Sequence, residues 1–196
     1  LPLYIYPLKG PRAIPLEPSD VLASGVHHAR RFMTLDAHGV FLTQREHPRM
    51  ALLETAIEDE HLVMWVHGTT ERARASLRAE DHASRPRLHA TVWKDSVLAT
   101  DVGGELAELL SDHLRQKCSL VFMPPETIRQ VDLGYAREGD RVGFADGFPV
   151  LIASLASLAD LNTRLTSAVG IDRFRANVVI TGAEPWAEEA ASSIRV

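Results

Sequence analysis

The chain has one cysteine, Cys118, no excess of positive charge and no long uninterrupted apolar run. A single thiol excludes an internal disulfide and any Cys-rich metal site built within one chain, and it suits a reducing compartment, so a cytoplasmic location is expected. A net charge of -5 argues against a general nucleic-acid binder, which needs a basic surface to neutralise phosphates. No apolar stretch reaches the roughly eighteen residues of a membrane-spanning helix, because Pro149, Ser154 and Asp160 interrupt the longest candidates. A signal-peptide pattern is missing too, although the opening at Leu1 rather than Met suggests a native start lying upstream. GxGxxG, GxxxxGK[ST] and GxSxG are absent. His47, His61, His67, His82, His89 and His113 show neither HxH nor HExxH spacing, so nothing supports a histidine-based metal site.

What is present is enough apolar material, 45% of 196 residues, for one large domain or two small ones. The patterning is β-dominated. Leu3–Tyr6 reads as a short strand broken by Pro7, Gly10, Pro11 and Pro15, which leaves Lys9 in a turn. Asp36–Gly39 reads as a hairpin connection between FMTL and VFLT, and Glu58–Glu60 as another between MALLETAI and HLVMWVHG. Adjacent His27 and His28 on a strand would point to opposite faces, a poor arrangement for holding one ion. Residues 69–86 are charged and of mixed sign, fitting a helical turn over Glu71–Leu77 or an exposed loop equally well. LHATVWKDSVLA alternates again, with Lys94–Asp95 as its turn.

Leu106, Leu109, Leu110 and Leu114 share one face of an expected core-facing helix over Gly104–Gln116. Cys118 then opens a strand ending at Pro124–Pro125, and its thiol reads as buried and inert. The polar segment that follows reads as a linker, giving expected units over residues 1–123 and 124–196.

The chemistry concentrates between Gly143 and Gly182. Ser157-Leu158-Ala159-Asp160 matches a capping box at the start of a helix, leaving the Ser154 hydroxyl at the end of an apolar strand free to hold an anion beside helix N–H groups. Arg173, Arg175 and Asn177, spaced by two, would share one face of the next strand and offer planar donors to a phosphate and a heterocycle edge. A solvated strand face balanced by Asp160 or Glu184 explains the same residues equally well.

Six segments in order resemble proteins with a MOSC N-terminal β-barrel-like domain followed by a MOSC domain, the group that includes the amidoxime-reducing component and bacterial relatives acting on N-hydroxylated bases. They are YIYPLK at Tyr4–Lys9, RRFM at Arg30–Met33, LTQRE at Leu42–Glu46, FADGFP at Phe144–Pro149, SLADLN at Ser157–Asn162 and RFRAN at Arg173–Asn177. The resemblance implies an α+β, β-dominant fold in which the N-terminal β-barrel-like domain precedes the start of a MOSC β-barrel. It implies molybdenum cofactor (molybdopterin) held by Lys9, Arg30, Ser154, Arg175 and Asn177, with Arg31 and Arg173 in support. It further implies reduction of N–O bonds in a small-molecule substrate, with electrons from a separate electron-transfer protein; that neither nucleic acid nor membrane is a partner is expected from the charge and the apolar runs instead.

Three departures bear on the pocket: Gly10 stands where the family has Ser, Ala29 where it has Asp and Ala176 where it has Pro. The family's metal-ligating cysteine follows the RFRPN strand in a segment that this chain does not include, and Cys118 does not map onto it. With that segment the expectation is an N–O reductase. Without it, the expectations are a molybdenum-cofactor or phosphorylated-heterocycle carrier, or a phosphate-ligand domain unrelated to molybdenum. An incomplete barrel would expose sheet edges and leave room for a homodimer.

Overall fold

A computed structural model describes residues 2–191; the outer ends of the two expected units, residue 1 and residues 192–196, lie outside them. The chain is α+β with strands dominant. In order, the strands are β1 (Leu3–Ile5), β2 (Ile14–Leu16), β3 (Val21–Leu22), β4 (Gly25–Val26), β5 (Phe32–Leu35), β6 (Leu53–Glu58), β7 (His61–Val66), β8 (Arg72–Ser76), β9 (Arg87–Val92) and β10 (Asp95–Asp101). Helix α1 (Gly104–Leu114) leads to β11 (Ser119–Phe122). Then come β12 (Ile152–Ser154), α2 (Leu155–Asn162), β13 (Val178–Ile180) and the short α3 (Ala187–Ala190).

The sheets follow the orders β5-β11-β10-β9, β6-β7-β8 and β12-β13-β1-β2, with β3 and β4 paired alone. The first strand of the chain therefore lies beside its last, with Leu3 paired to both Val178 and Leu16. Strands β12 and β13 run parallel, as a strand–helix–strand connection through α2 requires.

Residues Phe32–Leu35 are all buried because β5 lies between two cores. Phe32 joins Leu62, Met64, Leu106, Leu110, Leu120 and Phe122 on one side, while Met33 and Leu35 join Val92, Ala99, Val121 and Phe144 on the other. This two-residue alternation is what a strand imposes. Helix α1 turns Leu106, Leu110 and Leu114 into the first core, as their spacing requires. Arg115 in the left-handed conformation ends it.

Several local expectations need correction. Residues 72–76 form strand β8, with Ala73 and Ala75 buried and Arg72 and Arg74 exposed; alanine is too small to announce a buried strand face amid charge. The β9–β10 turn falls at Trp93–Lys94, where Trp93 is left-handed (φ 53°) and Asp95 already pairs with Val92. His27 and His28 lie on a turn rather than a strand, and their rings stack with centroids 3.7 Å apart. Ser154, not Ser157, caps α2: its hydroxyl accepts from the Ala156 N–H at 3.1 Å. Ser157 lies inside the helix, where its hydroxyl donates to Glu188 at 2.9 Å and accepts from the Trp186 N–H at 2.8 Å.

Candidate functional site

Strand β1 delivers Tyr6 to the centre of a cationic cluster. The Arg30 guanidinium lies 4.8 Å from the Tyr6 ring centroid and that of Arg175 lies 4.3 Å from it. Both arginines have left-handed backbones, φ 53° for Arg30 and 57° for Arg175. Such conformations cost a non-glycine residue free energy and persist only where the surroundings hold them.

At Arg30 the restraint is visible. Its N–H donates to the Tyr6 carbonyl at 2.8 Å, and its carbonyl accepts from the Phe144 N–H at 2.8 Å. That approach explains Gly143, where an added Cβ would lie 2.7 Å from the Arg30 carbonyl oxygen. Arg175 follows a 3₁₀ turn over Ile171–Phe174, and its Nη1 donates to the Gly10 and Pro11 carbonyls at 2.9 and 2.8 Å.

Lys9 completes the cluster from the turn after β1. Its side chain is 9% exposed, and its ammonium donates to the Phe144 carbonyl at 3.0 Å and to Asp146 Oδ1 at 2.5 Å. Burial pushes the ammonium down to about 8, outweighing the raising effect of Asp146; Arg30 and Arg129 add to the depression. Burial also raises the Asp146 carboxyl, but Lys9, Trp93 Nε1 at 3.0 Å and Arg30 together bring it below its ordinary value. Arg175 is disfavoured as a cation first by burial and then by Arg30, although a guanidinium stays charged at neutral pH. The Tyr6 phenol is raised by burial despite both arginines.

Three cations therefore face one carboxylate, and neither Arg30 nor Arg175 forms an ion pair among the described residues. Arg30 Nε and Arg175 Nη2 are buried and, among the described residues, without a hydrogen-bond partner. Buried donors are almost always satisfied, so a pair of them among like charges marks a place suited to an anion's oxygens.

The structure brings Lys9, Arg30 and Arg175 together, and separates them from the other expected site residues. Arg173, Arg175 and Asn177 do not share a strand face, because β13 begins only at Val178 and the preceding residues turn; Arg173 is exposed. Asn177 is buried and occupied by the backbone, donating to the Tyr4 carbonyl at 3.1 Å and accepting from the Leu151 N–H at 3.1 Å. Ser154 is buried as the α2 cap. Arg31 turns away from Arg30: its guanidinium lies 4.9 Å from the Phe122 ring and donates to the Met123 carbonyl.

Sequence reasoning missed Arg129, which sits in the expected linker yet is 5% exposed. It donates to the Gly143, Ala145 and Asp146 carbonyls at 3.0, 2.5 and 3.0 Å, and to Asp95 at 2.7 Å. One side chain thus shapes the loop that carries Asp146. Tyr6 and Asp146 lay within the recognised segments, but no pattern marked their side chains as part of the cluster. Gly10, where the resemblance expects Ser, has φ 117°, and an added Cβ would lie 2.4 Å from Met50 Cε, so a serine here would strain the backbone and require the Met50 methyl to move.

Residues 2–117 match the MOSC N-terminal beta barrel domain and residues 139–195 the MOSC domain. The chain is 30% identical over 203 residues to mitochondrial amidoxime-reducing component 1 of Mus musculus, covering 99% of this chain and 58% of that protein. It is 29% identical to the Homo sapiens component 1, covering 96% and 57%. Molybdenum cofactor sulfurase of Arabidopsis thaliana is 24% identical, with 98% of this chain and 26% of that protein covered. The chain spans less than two thirds of the length of each of these relatives. Two domain matches in the expected order and distant similarity along nearly the whole chain place this protein in the MOSC family.

Proposed function

We propose that the Lys9–Arg30–Arg175 cluster holds the phosphate-bearing end of molybdenum cofactor, and that the protein containing this chain reduces N-hydroxylated compounds. The observation that carries the reading is the pair of unpartnered buried guanidinium nitrogens, Arg30 Nε and Arg175 Nη2, in a cluster with an excess of positive charge. Planar forked donors suit phosphate oxygens, and Lys9 adds a point charge. The names of the similar proteins, amidoxime-reducing component and molybdenum cofactor sulfurase, direct that anion toward a pterin cofactor.

The cofactor would supply the redox chemistry, while the chain's own residues bind and orient it. Arg30 and Arg175 neutralise charge from beside Tyr6. Asp146 keeps Lys9 protonated, and Arg129 holds the loop that positions Asp146. The metal would need a soft ligand of its own, and Cys118 does not offer it: its thiol is buried beside α1, where the Cys118 N–H donates to Ser111 Oγ at 3.0 Å. The electron-donating partner and the small-molecule substrate belong to this proposal, as does a cytoplasmic location.

The test is to produce the protein in a host that makes the cofactor, quantify molybdenum and released pterin, and assay conversion of an amidoxime to its amidine with a chemical reductant. Stoichiometric pterin with turnover supports the whole reading. Pterin without turnover supports a carrier, and absence of both overturns the proposal.

A further inference from the structure

A second cavity, of about 390 Å³, lies between the β3–β4 hairpin and the end of β11, on the Arg31 rather than the Arg30 side of the chain. Leu22, Val26, Leu77 and Phe122 give it an apolar wall, and Arg31 and Arg141 give it charge. Among the described residues, no Asp or Glu lines it and neither arginine forms an ion pair. The nearby Glu126 is engaged by Arg87.

The two guanidiniums are held in place by backbone acceptors, Arg31 at the Met123 carbonyl and Arg141 at the Pro125 carbonyl at 3.2 Å. Arg31 also lies over the Phe122 ring, 4.9 Å from its centroid. Burial and then Arg141 disfavour the Arg31 charge, so the cations feel one another across this space. On the same lining, the His27 and His28 rings form a flat stack with planes 26° apart. Burial, His27 and Arg31 push His28 down to about 4, so its imidazole is neutral at neutral pH and offers a flat face without charge.

We propose that this cavity binds a small organic carboxylate with a flat apolar body, the carboxylate bridging Arg31 and Arg141 and the ring lying against Phe122 and the histidine stack. Two planar guanidiniums match the oxygens of a carboxylate as well as they match those of a phosphate. The volume falls in the range of small-molecule sites, and the apolar wall rewards an organic body over a bare inorganic anion. The site uses none of the residues assigned to the cofactor cluster, so it stands independently of the proposed function.

The test uses benzoate as probe, with benzyl alcohol as its uncharged counterpart and inorganic phosphate as the bare anion. Calorimetry and the ring-proton resonances of His27 and His28 report binding in the full chain. Benzoate is expected to bind and shift both histidines, with benzyl alcohol and phosphate each weaker by about tenfold or more. Arg141→Gln is expected to weaken benzoate by about tenfold with unchanged circular dichroism. Leu22→Trp, at a half-exposed residue of the lining, fills the apolar side without entering the core and is expected to abolish binding. Equal binding of benzoate and benzyl alcohol, equal binding of benzoate and phosphate, or benzoate binding untouched in both variants would overturn the assignment.

Discussion

The Lys9 ammonium, almost fully buried, lies 2.5 Å from an Asp146 carboxylate whose side chain is 73% exposed. The pair is asymmetric: water solvates the anion while the cation depends on its partner. Asp146→Asn should therefore drive the Lys9 ammonium below about 8 and cost about 1–3 kcal/mol of stability, because a buried donor loses its charged acceptor. Titration of the Lys9 Cε resonance and chemical denaturation measure the two effects.

Anion binding and folding should respond oppositely to alkaline pH. Lys9 titrates at about 8 in the folded chain and at 10.5 in the reference state. Between those values the unfolded chain holds more protons, so Lys9's contribution to stability rises with pH across this window. Affinity for a phosphate-bearing ligand should fall over the same window as the ammonium loses its charge. Phosphate titrations at pH 7 and pH 9.5, beside denaturation curves at both, separate the two trends.

Arg129→Gln should destabilise by about 3–5 kcal/mol, since Asp95 and the Gly143, Ala145 and Asp146 carbonyls lose a buried charged donor. The FADG loop should loosen with it. Amide hydrogen exchange at Phe144 should accelerate more than exchange in α1.

Gly10→Ser introduces the hydroxyl that the resemblance expects but should cost about 1–3 kcal/mol, from the positive φ and the Met50 contact. Gly10→Ser with Met50→Ala should remove the clash and not the backbone strain. Thermal unfolding of both variants distinguishes the two sources.

The sequence made the fold class and the α1 face legible because both rest on periodicity. It also made Lys9, Arg30 and Arg175 legible as partners, but only through the order of the short segments around them. Their spacing carried no such information: Arg175 reaches the site from a left-handed turn, not from the strand face that a two-residue spacing suggested. The cap fell to Ser154 instead of Ser157 because both fit the start of a helix, and the parallel pairing of Ser154 with Ile180 decides where β12 ends. Arg129 was illegible for another reason. Its acceptors are backbone carbonyls made convergent by a loop 14 to 17 residues away, and a carbonyl leaves no mark in composition.

The most direct test of the central claim is the pterin content of protein made in a cofactor-producing host, compared among the unaltered chain, Arg30→Gln, Arg175→Gln and Arg173→Gln, each with its fold checked by circular dichroism. The unaltered chain and Arg173→Gln are expected to carry equal pterin, because Arg173 is exposed and outside the cluster. Arg30→Gln and Arg175→Gln are expected to lose it by about tenfold or more. Undiminished pterin in both of those variants, or none in the unaltered chain, would contradict the claim that two guanidiniums beside Tyr6 hold the cofactor.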